Sequence, residues 1–164
     1  MKKQIPKIQT NKGMSIIEVL IGSAIIVTGI LALIASHTAY TQYAIQNEKN
    51  TEITYLLGEG LESLYFLRDK GWTAYIAPLS TSTTYYLAFN GSYWAATTTP
   101  QYVDGTFLRK ITIDDVKRDS NSDIASSGTL DANTKKVTAA ISYSQGQATT
   151  TQTISTYVAN IYGN

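Results

Sequence analysis

A single carboxylate lies near the N-terminal end of a long apolar run, and its position indicates that it needs a partner of opposite charge. The run covers residues 14–35, and Glu18 is the only charged residue in it. A charged side chain at the centre of a bilayer costs about 2.5–3.5 kcal/mol, and less near the interface, so such a residue usually has a partner. The chemistry that this position favours is therefore ion pairing.

A cation close to Glu18 would arise if the chain were trimmed before Met14. The new α-ammonium would lie four residues, about one helical turn, from the carboxylate. Pairing within one chain or between neighbouring chains would offset desolvation, and pairing between chains would also fix the register of packed helices. The alternative for Glu18 taken alone is a carboxylate at the membrane interface, solvated by lipid headgroups.

A second candidate site is the sequence DSNSD, which matches the opening D-x-N-x-D of a calcium loop. Its candidate metal ligands are Asp119, Asn121 and Asp123. The rest of the template fails, because its sixth position should be Gly and is Ile124, and its twelfth should be Glu and is Leu130. A polar loop between strands is therefore the favoured interpretation.

The remaining composition offers little material for catalysis. The chain has no Cys, and its only His, His37, lies just past the apolar run, so thiol catalysis and His-based triads or metal sites are excluded. The net charge is +1, without the basic face that nucleic-acid binding needs. We therefore expect a non-enzymatic protein with no cofactor and no specific nucleic-acid partner.

The apolar run has the length of a membrane span. Its 22 residues would form about 33 Å of helix, which matches a hydrocarbon core of about 30 Å. The preceding segment holds four Lys and no acid, the arrangement of a span whose N-terminal side stays in the cytoplasm. The alternatives are a secretory signal peptide, whose apolar core is shorter, and a buried core helix, which rarely needs so long a stretch.

The residues at the front of this run resemble a processing motif. The sequence KGMSIIEVLI, which begins at residue 12, is similar to the motif of type IV pilins and pseudopilins. In that family a basic leader ends in Gly and is followed by a large apolar residue, a small or hydroxyl residue, two aliphatic residues and Glu. Met14 stands where Phe is commoner.

The resemblance implies cleavage between Gly13 and Met14 by a prepilin peptidase, and N-methylation of Met14. It implies that Glu18 pairs with the Met14 amine of an adjacent subunit during filament assembly. The implied partners are this peptidase and methyltransferase, other pilin subunits, the pilus assembly machinery and membrane lipid. The implied location is the cytoplasmic membrane, with the N-terminus in the cytoplasm and the head outside, and then a cell-surface or periplasmic filament.

An apolar stripe continues the predicted helix beyond the membrane. Seven residues recur with helical spacing: Ile53, Leu56, Leu57, Gly60, Leu61, Leu64 and Leu67. No Pro interrupts residues 14–68, which predicts one helix of 55 residues, about 80 Å long, stopped by Gly71. The sequence TYLLGEGLESLYFLRDKGW also resembles the end of the pilin helix.

The rest of the chain is rich in Thr, Ser and Tyr and is divided by turn sequences such as FNGSY, VDGT and SSGT. We expect strands at residues 84–89, 92–97, 106–116, 136–144 and 148–158. Alternation is clearest in VTAAISY, where Val137, Ala139, Ile141 and Tyr143 share one face. The sequence SQGQ then predicts a short hairpin to the last strand.

The predicted fold class is α+β, with a long N-terminal α-helix whose second half packs on a small antiparallel sheet of four or five strands. The predicted organisation is a basic leader at 1–13, a transmembrane part at 14–35, an amphipathic part at 36–68 and a β-rich head at 69–164. Two stretches, RKITIDDVKRD from residue 109 and TKKVTAAISYSQGQATTTQTISTYVANIY from residue 134, also resemble the C-terminal sheet of minor, pilV-like pilins. Together the resemblances imply the pilin fold.

The function that the resemblance implies is that of a structural subunit, a minor pilin or pseudopilin, in a type IV pilus or a type II secretion-like filament. The alternative is a permanently membrane-anchored β domain that binds a surface ligand without polymerising. An exposed aromatic patch in the Tyr-rich residues 74–105 would favour ligand binding, whereas half-buried packing is ordinary for Tyr and Trp in strands.

Overall fold

A computed structural model describes residue 13 and residues 15–81, 83–145 and 148–163. The chain divides into two compact units, Met1–Glu48 and Lys49–Asn164. Helix α1, Ile16–Lys70, is 55 residues long and contributes residues to both units. The predicted single helix at 14–68 is thus confirmed in length, with both ends two residues later.

In the first unit, the side chains of α1 are exposed on all sides of the helix. The exposed fraction is 81% for Ile16, 66% for Ile25 and 71% for Leu33. The hydroxyls of Thr28 and Thr38 donate to backbone carbonyls one turn earlier, at 2.9–3.0 Å, so their polar atoms are satisfied within the helix. Up to Ala35, and apart from Glu18, this part of α1 is therefore apolar around its circumference.

In the second unit, α1 buries the predicted apolar stripe against the sheet. Six of the seven predicted positions are buried and the seventh, Leu61, is partly buried against both core clusters. Ser63 is buried as well, and its hydroxyl donates to the Glu59 carbonyl at 2.7 Å. The spacing of the aliphatic residues thus predicted the buried face of this half of the helix.

Gly71 ends the helix, as predicted. Its φ of 157° and ψ of 113° lie in a region that essentially only Gly occupies, and its N–H still donates to the Leu67 and Arg68 carbonyls. The chain then makes one short helix, α2, at Trp72–Tyr75. Trp72 and the following Ile76 are buried in the core.

The described strands form one antiparallel sheet in the order β2-β1-β4-β6-β7, with β3 and β5 paired to β4. Their bounds are β1 Thr84–Phe89, β2 Trp94–Thr97, β3 Tyr102–Val103, β4 Phe107–Arg118, β5 Ile124–Ala125, β6 Thr129–Gln145 and β7 Ala148–Ala159. The α+β fold class is confirmed, but the sheet has seven strands rather than four or five. The two extra strands, β3 and β5, are two residues long.

The core consists of two adjoining clusters between α1 and one face of the sheet. The first joins Leu64 and Leu67 to Trp72, Ile76 and side chains of β1, β4, β6 and β7, and the second joins Ile53, Leu56 and Leu57 to β4 and β6. Four alternate residues of β6 were predicted to share a face, and all four are buried: Val137, Ala139, Ile141 and Tyr143. Periodicity of two therefore identified the core side of this strand.

The aromatic residues of the middle region are partly buried and partly exposed. Tyr75, Tyr85 and Trp94 pack against the first core cluster. Phe89, Tyr93 and Tyr102 are 56%, 41% and 61% exposed. Half-buried packing thus accounts for part of this aromatic-rich segment.

One ion pair ties the end of β4 to the first part of β6. The Arg118 Nε donates to Asp131 Oδ2 at 2.6 Å, and Asp131 Oδ1 accepts the Asn133 N–H at 2.9 Å. The hydrogen bond from Arg118, assisted by Thr134, holds the pKa of the Asp131 carboxyl below its ordinary value of 3.8.

Because this pKa is lowered by folding, the stabilisation by Asp131 is fully present well above pH 3.8 and is lost as pH falls through the folded-state pKa. We expect Asp131→Asn to lower the free energy of unfolding at pH 7 by about 1–2 kcal/mol. The variant should also lose less stability than the parent between pH 7 and pH 3. Denaturant titrations at several pH values measure both quantities. Asp104→Asn, at an exposed turn, is the control, and parallel pH profiles for parent and Asp131→Asn would contradict the assignment.

Candidate functional site

The first turn of α1 is organised around Ser15 and Glu18. The Ser15 carbonyl accepts the N–H groups of Glu18 at 2.9 Å and Val19 at 3.3 Å, so Ser15 is the N-cap. Glu18 reaches back, and its Oε2 accepts the Ser15 N–H at 3.3 Å. This is the return bond of a capping box, in which the residue at the third helical position satisfies the N-cap amide.

The capping bond gives Glu18 a role that the sequence analysis did not assign. Its signal was present in the sequence, because S-x-x-E immediately before an apolar run is the capping-box pattern. The bond uses one carboxylate oxygen. Among the described residues, no other group bonds the Glu18 carboxylate and no cation lies within salt-bridge range of it.

Of the two residues at the predicted cleavage site, Gly13 belongs to the described residues and is exposed. Met14, the predicted N-methylated residue, lies outside the described residues. Cleavage and methylation remain predictions from the motif.

The surroundings of Glu18 are apolar and uncovered. Ile17 is 64% exposed and Leu20 62%. From Ser15 to Asn47 the sequence contains no Lys, Arg or second acid. Contiguous exposed apolar surface on this scale is rare in soluble monomers and marks contact with a membrane or another protein.

The helix that carries Glu18 is long and apolar enough to cross a membrane, and it is near the N-terminus. The most apolar part of it is not buried anywhere in the fold. His37 follows this part and is exposed, and its backbone carbonyl accepts the Thr41 hydroxyl at 2.9 Å. The length and composition of α1 are thus those of a candidate membrane span.

The second candidate site, the loop after β4, is held by its own hydrogen bonds. Asp119 Oδ1 accepts the N–H groups of Asn121 at 2.8 Å and Asp123 at 3.0 Å. The Arg118 Nη1 donates to the Ser122 carbonyl at 2.8 Å. Within the described ranges, no group of three or more His, Cys, Asp or Glu residues is arranged to hold a metal ion. The geometry is that of a closed polar loop.

Comparison with known proteins adds no assignment: no family model, no curated protein and no solved structure matches this chain. A functional proposal therefore has to start from the chain itself, and the first turn of α1 with its exposed apolar surface is the feature that it uses.

The capping bond predicts different behaviour for two substitutions of Glu18. Glu18→Gln keeps an acceptor that can reach the Ser15 N–H, whereas Glu18→Ala removes it and should cost the first turn about 1 kcal/mol. Hydrogen exchange of the amides of residues 15–19, measured in detergent micelles, reports this difference. Glu52→Ala, in the middle of α1, serves as the control, and equal exchange in Glu18→Gln and Glu18→Ala would contradict the capping role.

Proposed function

We propose that this chain is a structural subunit, a minor pilin or pseudopilin of a type IV pilus or type II secretion-like filament. It is processed after Gly13 and assembles through its N-terminal helix. The observation that carries the proposal is Glu18, whose carboxylate has no cation in salt-bridge range among the described residues and which lies in the first turn of a helix whose N-terminal, most apolar part is unburied.

The energetics of a carboxylate in this position favour a partner from outside the described fold. Desolvating a charge in the membrane costs several times the thermal energy, and an opposite charge in a low-dielectric surrounding offsets this cost. The chain carries no Lys or Arg between Gly13 and Lys49. The new α-amine of Met14 on a neighbouring subunit supplies the missing charge, and it exists only after the leader is removed.

The surface next to Glu18 suits close helix packing. Gly22 and Gly29 follow it by four and eleven residues, so all three lie on one side of the helix. A Cβ built on either glycine meets nothing within 4 Å, which leaves this side open to another helix. Small residues allow the backbones of membrane helices to approach, where van der Waals packing replaces the hydrophobic effect as the driving force.

The second unit agrees with the head of such a subunit. The C-terminal half of α1 packs its apolar stripe on an antiparallel sheet, which is the arrangement expected of the pilin fold. In this proposal the protein is a single-pass protein of the cytoplasmic membrane, with its N-terminus in the cytoplasm and its head outside, until it enters the filament. Its role is assembly rather than catalysis, and its partners are the prepilin peptidase and methyltransferase, other subunits and the assembly machinery.

Processing is the first test of this proposal. Co-expression with a prepilin peptidase should give a mature chain that begins at Met14 and carries an N-methyl group, as read by intact mass and N-terminal sequencing. Gly13→Leu should block this cleavage, because the motif places a small residue before the cut, whereas Ser36→Leu, distant from the cut, is the control. An intact leader on the parent chain would overturn the proposal and favour the permanently anchored β domain.

Incorporation into filaments tests the role of the Glu18 charge. Glu18→Gln retains the capping acceptor but removes the charge, so we expect it to insert into the membrane normally and to enter filaments at least about tenfold less, which corresponds to about 1.4 kcal/mol. Quantitative mass spectrometry of sheared filaments, normalised to membrane-bound protein, measures this ratio.

The matched control for that measurement is Glu52→Gln, which removes a carboxylate from the same helix further along. If Glu18→Gln entered filaments at the level of the parent, the charge of Glu18 would have no role in assembly, and helix capping would be its only role. Glu18→Asp, which keeps the charge on a shorter side chain, should fall between the parent and Glu18→Gln.

A further inference from the structure

Strand β7, Ala148–Ala159, leaves one edge of the sheet open. It is the last strand in the order β2-β1-β4-β6-β7, and among the described strands it pairs only with β6. The pairing runs without a register shift from Thr134↔Ala159 to Gln145↔Ala148, so β7 has no bulge along its twelve residues. No described strand pairs with its second row of backbone N–H and C=O groups, which is available over the whole length of the strand.

This edge lacks the features by which proteins usually protect such a strand. Its sequence, ATTTQTISTYVA, contains no charged residue, no Pro and no Gly. It is also rich in β-branched residues, which favour strand pairing. The opposite edge is different, because β2, Trp94–Thr97, is only four residues long.

The side chains at the β7 edge are exposed on both faces of the sheet. Ile154 is paired with the buried Ala139 on the helix side and is still 41% exposed. Tyr157 is paired with Lys136 on the other side and is 50% exposed. An added strand would therefore gain apolar contacts on each face as well as backbone hydrogen bonds.

We propose that the free edge of β7 pairs with β7 of a second copy of this chain. The charge pattern supports this occupant, because two uncharged strands can lie side by side in any register without opposing like charges. Length supports it as well, since a second β7 matches all twelve residues, whereas the four-residue β2 edge would leave most of β7 unpaired.

The same geometry limits both the size and the strength of the assembly. Pairing β7 with β7 consumes the long edge of each copy, so the contact closes at two chains. A strand edge about 40 Å long buries less than the roughly 800 Å² per partner typical of stable complexes. The pairing is therefore weak in dilute solution and becomes populated as the chain concentration rises.

Cysteine crosslinking of the full-length chain, reconstituted in lipid vesicles, tests the pairing directly. The parent has no Cys, so single substitutions at Thr149, Thr153 and Tyr157 give unique thiols on the β7 edge. We expect covalent dimers from at least one of them with a short thiol crosslinker. Thr112→Cys on β4, which has a paired strand on either side, is the control. Crosslinking of β7 at the control level would overturn the proposal, as would a ladder of higher oligomers.

A charge on the edge should weaken the dimer. Thr153→Lys places two ammonium groups close together across a β7 pair, and we expect its dissociation constant to rise at least about fivefold, with partial recovery in high salt. Thr112→Lys is the matched control and should dimerise like the parent. Dissociation constants measured by single-molecule photobleaching in vesicles separate these cases, and an unchanged value for Thr153→Lys would overturn the proposal.

The strand pairing does not depend on the proposed filament role, and one variant separates the two. Glu18→Gln should form the β7 dimer like the parent while entering filaments at least about tenfold less. Loss of β7 crosslinking with normal processing and incorporation would refute only the strand pairing. Crosslinks of the same cysteine variants to a different protein in whole-cell membranes, with no homodimer there or in vesicles, would show that another chain occupies the edge and would likewise refute the pairing.

Discussion

Packing of the C-terminal half of α1 on one face of the sheet is the contact on which the second unit depends. Both hydrophobic clusters draw side chains from this half of the helix, and neither would be closed by the sheet alone. The contact also accommodates a nearly buried charge. Arg109 projects from β4 and donates to Glu59 Oε2 at 2.8 Å, and its guanidinium carbon lies 4.8 Å from the centre of the Trp94 ring.

Gly60 lies next to the stem of the Arg109 side chain. A Cβ at that position would lie 3.4 Å from the Arg109 Cδ and 3.7 Å from the Ala139 Cβ, at van der Waals contact with both. The glycine costs the helix about 1 kcal/mol in propensity relative to Ala, and it leaves room for the aliphatic stem of Arg109 between helix and sheet. Glu59 stays 45% exposed on its side chain, so the pair keeps contact with water and does not bear the full cost of burying two ions.

Much of this fold could be predicted because its main elements follow simple periods. Aliphatic spacing along α1 identified the buried face, and β1, Thr84–Phe89, has the predicted bounds. The first half of β6 was missed because TLDANTK shows no alternation, and its pairing comes from β4 across an irregularity between Asp115 and Val116. The two-residue strands β3 and β5 are likewise formed by pairing with β4 rather than by the strand preference of their own residues. Arg109 could not be predicted as buried, since its place depends on the approach of Gly60, Glu59 and Trp94 from distant parts of the chain.

The candidate site, too, was predicted only in part. Composition identified the apolar helix and its carboxylate, but the bond from the Ser15 amide to Glu18 was missed although the S-x-x-E pattern signals it. That bond occupies one carboxylate oxygen and leaves Oε1 without a described partner. A carboxylate already held by its own helix loses less side-chain entropy when it meets a second donor, so an ion pair that it forms retains more of its energy. In the proposed filament, capping would fix where the Glu18 charge points, and the Met14 amine of a neighbouring subunit would supply the counter-charge.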